Sequence, residues 1–255
     1  MPTERIEFRN AAGQMLSGRL ELPENSKPVA FALFAHCFTC SKDYKSALYT
    51  SRSLAERGYA VLRFDFTGLG ESEGDFARTS FFSNVEDLVT AAAFLGEQYQ
   101  SPALLIGHSL GGAAVLQAAG DIASSRAVVT IGAPCSPRNL IRLAEGRQEE
   151  LASAGKIEVA VGGRPFKIGR QFFEALEQTR MDETIQNLDR ALLVLHSPLD
   201  KIVNIDNAAH IFEQARHPKS FVSLDTANHL LSDPADAKYT GRVIAGWAER
   251  YVLDK

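Results

Sequence analysis

Along most of this chain, short unbroken apolar runs alternate with longer stretches in which apolar residues recur every three to four positions. The first pattern predicts strands buried on both faces, and the second predicts amphipathic helices. Two opening segments, Arg5–Arg9 and Met15–Leu22, read as strands joined by an Asn10-Ala11-Ala12-Gly13 turn, a hairpin. There follow strand Val29–Ala35, helix Ser41–Gly58, strand Ala60–Phe64, helix Phe82–Tyr99, strand Ala103–Ile106, helix Ala113–Gly120 and strand Ala127–Ile131. The rhythm breaks after Pro134. Residues Pro137–Leu188 are more polar. They read as a helix (Asn139–Ala154), a hairpin (Lys156–Val161 and Arg164–Ile168 about Gly162-Gly163) and a helix (Arg170–Glu177). Strand Ala191–His196, helix Ile205–Ala215, strand Ser220–Leu224 and a last helix from Asp236 to Tyr251 restore it.

This alternation predicts an α/β fold with about eight strands, mostly parallel, and helices on both faces. The chain reads as one domain over residues 1–255, with a small lid insertion at 137–188 over one end of the sheet. In such sheets the functional groups gather beyond the carboxyl ends of the strands. That rule nominates His36–Thr39, Asp65–Gly70, Ser109, Cys135, Pro198–Lys201 and Asp225–His229.

The strongest chemical signal lies at one of these ends. Gly107-His108-Ser109-Leu110-Gly111 follows an apolar strand and precedes a helical pattern. A serine in that turn is lifted above the sheet as a nucleophile, and the two glycines remove bulk that the turn cannot hold. The Leu110 amide, opening the helix, would face a developing oxyanion. Of the six histidines, His229 lies just past the last strand, where a long loop can lower its imidazole onto Ser109. Asp200 follows strand Ala191–His196 and would orient His229, with Asp225 as the competitor four residues before the base. The order Ser109, Asp200, His229 is that of α/β-hydrolases. The Phe38 amide, in the loop after Val29–Ala35, is the expected second oxyanion donor.

Composition and charge exclude more than they add. A net charge of −4 offers no basic surface for nucleic acid. No apolar run is long enough to span a bilayer, and the charged N-terminus lacks a signal-peptide core. Three cysteines, an odd number, argue against a secreted disulfide scaffold, so the chain reads as cytoplasmic. Cys37 and Cys40 form a C-x-x-C beside the oxyanion loop. It reads either as a redox switch or, as favoured here, as small packing residues in a tight turn. No second pair has ligand spacing for zinc, and no metal or cofactor is expected.

The motifs together resemble the α/β-hydrolase family: G-H-S-L-G-G, R-F-D-F-T-G-L-G-E-S at 63–72, H-x-x-D-x-x-V at 196–203 and the terminal N-H-L. The runs H-C-F-T-C-S-K-D at 36–43, D-F-T-G-L-G-E-S-E-G-D-F and T-A-N-H-L-L-S-D are narrower. They resemble a bacterial subgroup in which the hydrolase is fused to an OsmC-like hydroperoxide-reducing domain, which would be a covalent partner. The sequence in hand ends at Lys255 without that domain, and Cys37 stands where many members have glycine. The resemblance implies a serine esterase acting on small esters of short-to-medium acyl chains. Ser109, Asp200 and His229 would be catalytic, with Phe38 and Leu110 forming the oxyanion hole. A thioesterase, an aminopeptidase-like amidase and a cofactor-free perhydrolase use the same triad, and a catalytically silent binding module is the non-enzyme reading. The insertion's aromatics, Phe166, Phe172 and Phe173, are candidates for the substrate pocket or for the insertion's own core.

Overall fold

A computed structural model describes residues 1–161 and 164–253. The expected Gly162-Gly163 turn lies outside the described residues. An antiparallel hairpin, β1 (Thr3–Arg9) and β2 (Met15–Glu21), opens the chain. There follow β3 (Ala30–Ala35), α1 (Lys45–Ala55), β4 (Tyr59–Phe64), α2 (Phe81–Gln98), β5 (Leu104–His108), α3 (Leu110–Ala118) and β6 (Ala127–Ile131). β9 (Ala191–His196), α7 (Asp206–Gln214), β10 (Lys219–Ser223) and α8 (Pro234–Val252) close it. The main sheet has eight strands in the order β1-β2-β4-β3-β5-β6-β9-β10. β2 joins β4 antiparallel, and every pairing from β4 to β10 is parallel.

Alternation along the central strands explains why their sequences are almost continuously apolar. Ala32, Phe34, Leu104, Ile106, Val129, Leu193 and Leu195 belong to one buried layer, with Leu54 of α1 and Ile244 and Ala248 of α8. Leu33, Leu105, Val128, Leu192 and Val194 belong to the other, with residues of α2, α3 and α7. A strand covered on both faces has no side to leave polar. The strand order reverses between β3 and β5. The chain leaves β3 toward one edge and leaves β5 toward the other, which opens a crevice above their carboxyl ends.

The segment between β6 and β9 departs from expectation in detail. The single helix expected over Asn139–Ala154 is a 3-10 helix, Pro137–Ala144, and a short α4, Gln148–Ala154, with the chain turning at Glu145–Arg147. The hairpin of β7 (Lys156–Val161) and β8 (Arg164–Gly169) forms in the expected place. α5 (Arg170–Gln178) follows, and then α6 (Met181–Gln186), too short for a periodic signal. Gln171 Nε2 donates to the Ala77 carbonyl at 2.7 Å, tying this segment to the 3-10 turn Phe76–Arg78. Helix α1 begins at Lys45 rather than Ser41. The Lys42 amide is committed to Asp65 Oδ1 (2.6 Å) and the Tyr44 amide to the Ser41 carbonyl (3.0 Å). Among the described residues no helix is long and apolar enough to cross a membrane.

Candidate active site

The turn after β5 uses no spare residue. β5 runs through His108, α3 starts at Leu110, and Ser109 alone reverses the chain at φ 56°, ψ −124°. A non-glycine residue there is strained, by about 1–3 kcal/mol, and persists only because its surroundings over-determine it. A Cβ at Gly107 would overlap the Gly111 carbonyl, and one at Gly111 would overlap the Ala35 and His36 carbonyls. The two glycines therefore let the turn press against both α3 and β3.

Three of the expected residues meet at this turn. The Ser109 hydroxyl lies 3.0 Å from His229 Nε2, and His229 Nδ1–H donates to Asp200 Oδ2 at 2.7 Å. The partners lie 120 and 29 residues apart in sequence, so only the fold brings them together. The Asp200 side chain is 2% exposed. Burial pushes its carboxyl up. The His229 hydrogen bond and the Ile202 and Val203 amides on Oδ1 outweigh that and hold it below the usual carboxylate range. Asp225 is exposed, its backbone in the left-handed region (φ 42°), and its carbonyl accepts from Ser197 Oγ.

Several supports were not singled out by sequence reasoning. His108 is fully buried, and its Nε2–H donates to the His229 backbone carbonyl at 2.7 Å. Its Nδ1 accepts from Ser46 Oγ at 3.2 Å, so this imidazole is neutral and clamps the His229 loop to β5. His196 Nε2–H donates to the Val203 carbonyl at 2.8 Å and steadies the Asp200 loop. Gly132, at φ 55°, sits beneath the pair: a Cβ there would lie 3.3 Å from Asp200 Oδ2 and 3.4 Å from His229 Nδ1. A glycine or histidine at a strand end carries no sequence signal for these roles, because each depends on a distant loop.

The loop after β3 is fixed from two sides. Asp65 Oδ2 accepts from Lys42 Nζ (2.7 Å) and from the Glu71 amide (2.9 Å), which joins this loop to the 65–71 turn. Lys42 is nearly fully buried yet charged. Burial lowers its pKa, but the hydrogen bonds to Asp65 and Glu71 raise it further. Neither the Phe38 nor the Leu110 amide has a partner among the described residues. Both residues line a cavity of about 610 Å³ together with Ser109 and His229. The rest of its wall includes Tyr44, Pro137, Leu140, Val161, Ile202 and Leu230, and the exposed Arg142.

Two expectations need correction. Phe166, Phe172 and Phe173 are not among the residues lining this cavity. Phe172 packs on Phe38 (5.4 Å between ring centres) and on Phe173 (6.1 Å), and Phe166 packs on Phe76 (6.0 Å). Phe172 and Phe166 thus attach the insertion to the sheet domain, and Phe173 is buried against Phe172. The second correction concerns Cys37 and Cys40, which are not separate packing residues but a disulfide, with Cys135 free.

The buried histidines predict acid lability. Burial, and the neighbouring His229 after it, push the His108 pKa from 6.5 down to about 3. Between those values the unfolded chain binds a proton that the folded chain refuses, so stability falls as pH falls through 6.5. His108 alone contributes a slope approaching about 1.4 kcal/mol per pH unit. Burial lowers His36 and His196 as well, and they act in the same direction. Urea midpoints should therefore drop clearly from about pH 7 to about pH 5. An unchanged midpoint would show that these imidazoles accept protons in the fold.

Residues 32–251 match the sequence profile of the alpha/beta hydrolase family. The solved esterase domain of a Rhodothermus marinus protein is 51% identical over 99% of this chain and 100% of that one, with a TM-score of 0.82. Est1E from Butyrivibrio proteoclasticus, solved with ferulic acid bound, is 18% identical, with 97% and 99% covered and a TM-score of 0.79. The alpha/beta hydrolase GrgF from Penicillium sp. sh18 is 17% identical over 99% of each chain, with a TM-score of 0.82. These last two share the fold. No curated protein matches the chain.

Proposed function

Given that the chain belongs to the alpha/beta hydrolase family, we propose that it is a serine hydrolase cleaving carboxylic esters of short-to-medium acyl chains through an acyl-enzyme on Ser109. The observation that carries this reading is the continuous hydrogen-bonded series Ser109–His229–Asp200 at the floor of a large, mainly apolar cavity. The 51% identity to an esterase domain supports the choice of ester.

In the proposed cycle, Ser109 Oγ attacks the acyl carbonyl as its proton passes to His229 Nε2. Asp200 stays ionised, fixes the Nδ1–H tautomer and stabilises the imidazolium. The Leu110 and Phe38 amides, without partners inside the described protein, receive the oxyanion. His229 then protonates the leaving alcohol, and water repeats the attack on the acyl-enzyme. His108 remains neutral throughout, so it puts no positive charge beside the base.

A fluorophosphonate probe and a panel of p-nitrophenyl esters, acyl thioesters and aminoacyl anilides test the reading. Stoichiometric labelling of Ser109 with fastest turnover of the esters is expected. A folded protein that is neither labelled nor active on any panel member would end it.

The cavity wall makes a second prediction. Leu140→Ala should reduce kcat/KM for a hexanoyl ester, relative to the acetyl ester, by about tenfold or more, since each methylene in an apolar pocket is worth about 1–3 kcal/mol. Phe173→Ala should keep the wild-type chain-length profile and instead lose about 3–5 kcal/mol of stability, as a buried aromatic does. A chain-length profile changed by Phe173→Ala and not by Leu140→Ala would move the pocket into the insertion's interior.

A further inference from the structure

The disulfide between Cys37 and Cys40 takes no part in the cycle above, yet it closes a ring around Phe38. We propose that it is a thiol–disulfide exchange site, open to small dithiols through the substrate cavity, and that its reduction releases the Phe38 amide from the oxyanion position. This rests on the oxyanion role proposed for Phe38.

Three observations converge on it. First, the ring holds an unfavourable backbone: Thr39, between Phe38 and Cys40, is non-glycine at φ 61°. Second, the loop is fixed on both sides of the ring. His36 Nδ1–H donates to the Cys37 carbonyl (2.8 Å), and Lys42 is bound to Asp65 by both its amide and its ammonium. The Cys37 carbonyl also accepts from the Cys40 amide across the ring (3.1 Å), so the Cys37–Phe38 peptide, whose N–H is the proposed oxyanion donor, is held by His36 on one side and by the bridged turn on the other. Third, Cys37 and Cys40 both line the cavity. Cys37 is 4% exposed and Cys40 is partly exposed, so an incoming thiolate meets the Cys40 sulfur first.

The exchange balances as a two-electron step. A dithiol's thiolate attacks Cys40 Sγ, the sulfur–sulfur bond breaks, and the electron pair leaves on Cys37 Sγ, which takes a proton from solvent. The reductant's second thiol then attacks the mixed disulfide. Cys40 leaves as a thiol, and the reductant departs as its own cyclic disulfide. With the ring open, Thr39 can relax out of the left-handed region, the Cys40 amide leaves the Cys37 carbonyl, and the Cys37–Phe38 peptide can pivot on its remaining bond from His36. The side chain of Phe38 stays packed on Phe76 and Phe172, so the loss falls on the amide and not on the fold.

The test uses the intact protein with dithiothreitol and p-nitrophenyl acetate. Native-state alkylation and intact mass should count two more thiols after reduction. The kcat should fall by about 10²–10³, the cost of losing one oxyanion donor. KM should move less than kcat, near-UV circular dichroism should be retained, and reoxidation should restore the rate. Cys37→Ala/Cys40→Ala should match the reduced rate and ignore the reductant. An unchanged kcat in fully reduced protein would overturn the proposal. So would a bridge that dithiol cannot reach until the protein unfolds, or a rate loss accompanied by loss of near-UV signal, the mark of a structural staple. If the oxidised protein hydrolyses nothing and binds no fluorophosphonate, the hydrolase reading fails and the activity half of this proposal with it. The thiol count still reports the exchange site separately.

Discussion

Ser109→Ala should lower kcat for ester cleavage by about 10⁴–10⁶ while the melting temperature stays the same or rises. The magnitude follows from the proposed cycle. Without Oγ there is no acyl-enzyme, and what remains is binding plus the amides of Leu110 and Phe38. The stability sign follows from geometry. Ser109 is 9% exposed and among the described residues its hydroxyl bonds only His229, so a methyl group leaves no severe orphan, while the backbone at φ 56° is as strained for alanine as for serine. Steady-state kinetics on a short-chain p-nitrophenyl ester, with thermal unfolding of the same sample, checks both. A folded Ser109→Ala protein with wild-type turnover would remove the serine mechanism.

Asp200→Asn should cost about 10⁴ in kcat, by analogy with the template triad, and Asp225→Asn should cost far less. An amide at position 200 can still bond His229, but it presents a donor where the ring needs an acceptor. The ring is then stabilised in the wrong tautomer, with its proton on the nitrogen that should face Ser109. The imidazolium also loses its counter-charge where both side chains are nearly buried. Asp225 has no such contact: it is exposed at the end of β10. The pair of variants, assayed side by side, decides the assignment. If Asp225→Asn were the crippled one, the orienting carboxylate would have to reach His229 in a loop conformation other than the one described.

Much of this was legible in the sequence, for physical reasons. Strands buried on both faces are apolar at nearly every position, so β3, β5, β6 and β9 announce themselves, and the helices between them force parallel pairing. The elbow at Ser109 is legible because its chemistry is local. The strand, the strained residue and the two glycines needed for close approach are within five positions of one another. Chain order alone put Asp200 and His229 at strand ends, and the structure brings both to Ser109 at hydrogen-bond distance.

What only the tertiary structure decided are the contacts between segments far apart in sequence. No pattern around His108 says that its ring will carry the His229 carbonyl, 121 residues away, and none around Gly132 says that the Asp200–His229 bond will rest on it. The insertion is the least legible part of the chain, because an aromatic side chain fills a core and a pocket equally. Phe172 packs inward on Phe38, and the smaller Leu140 and Val161 line the cavity instead. Whether Cys37 and Cys40 are two packing residues or one bridge was likewise open to sequence. That depends on how tightly the chain turns after β3, and the turn is set by Lys42 and Asp65 joining two loops 23 residues apart. Periodicity and strain are properties of neighbours along the chain, whereas the supports, the pocket wall and the bridge are set by neighbours in space.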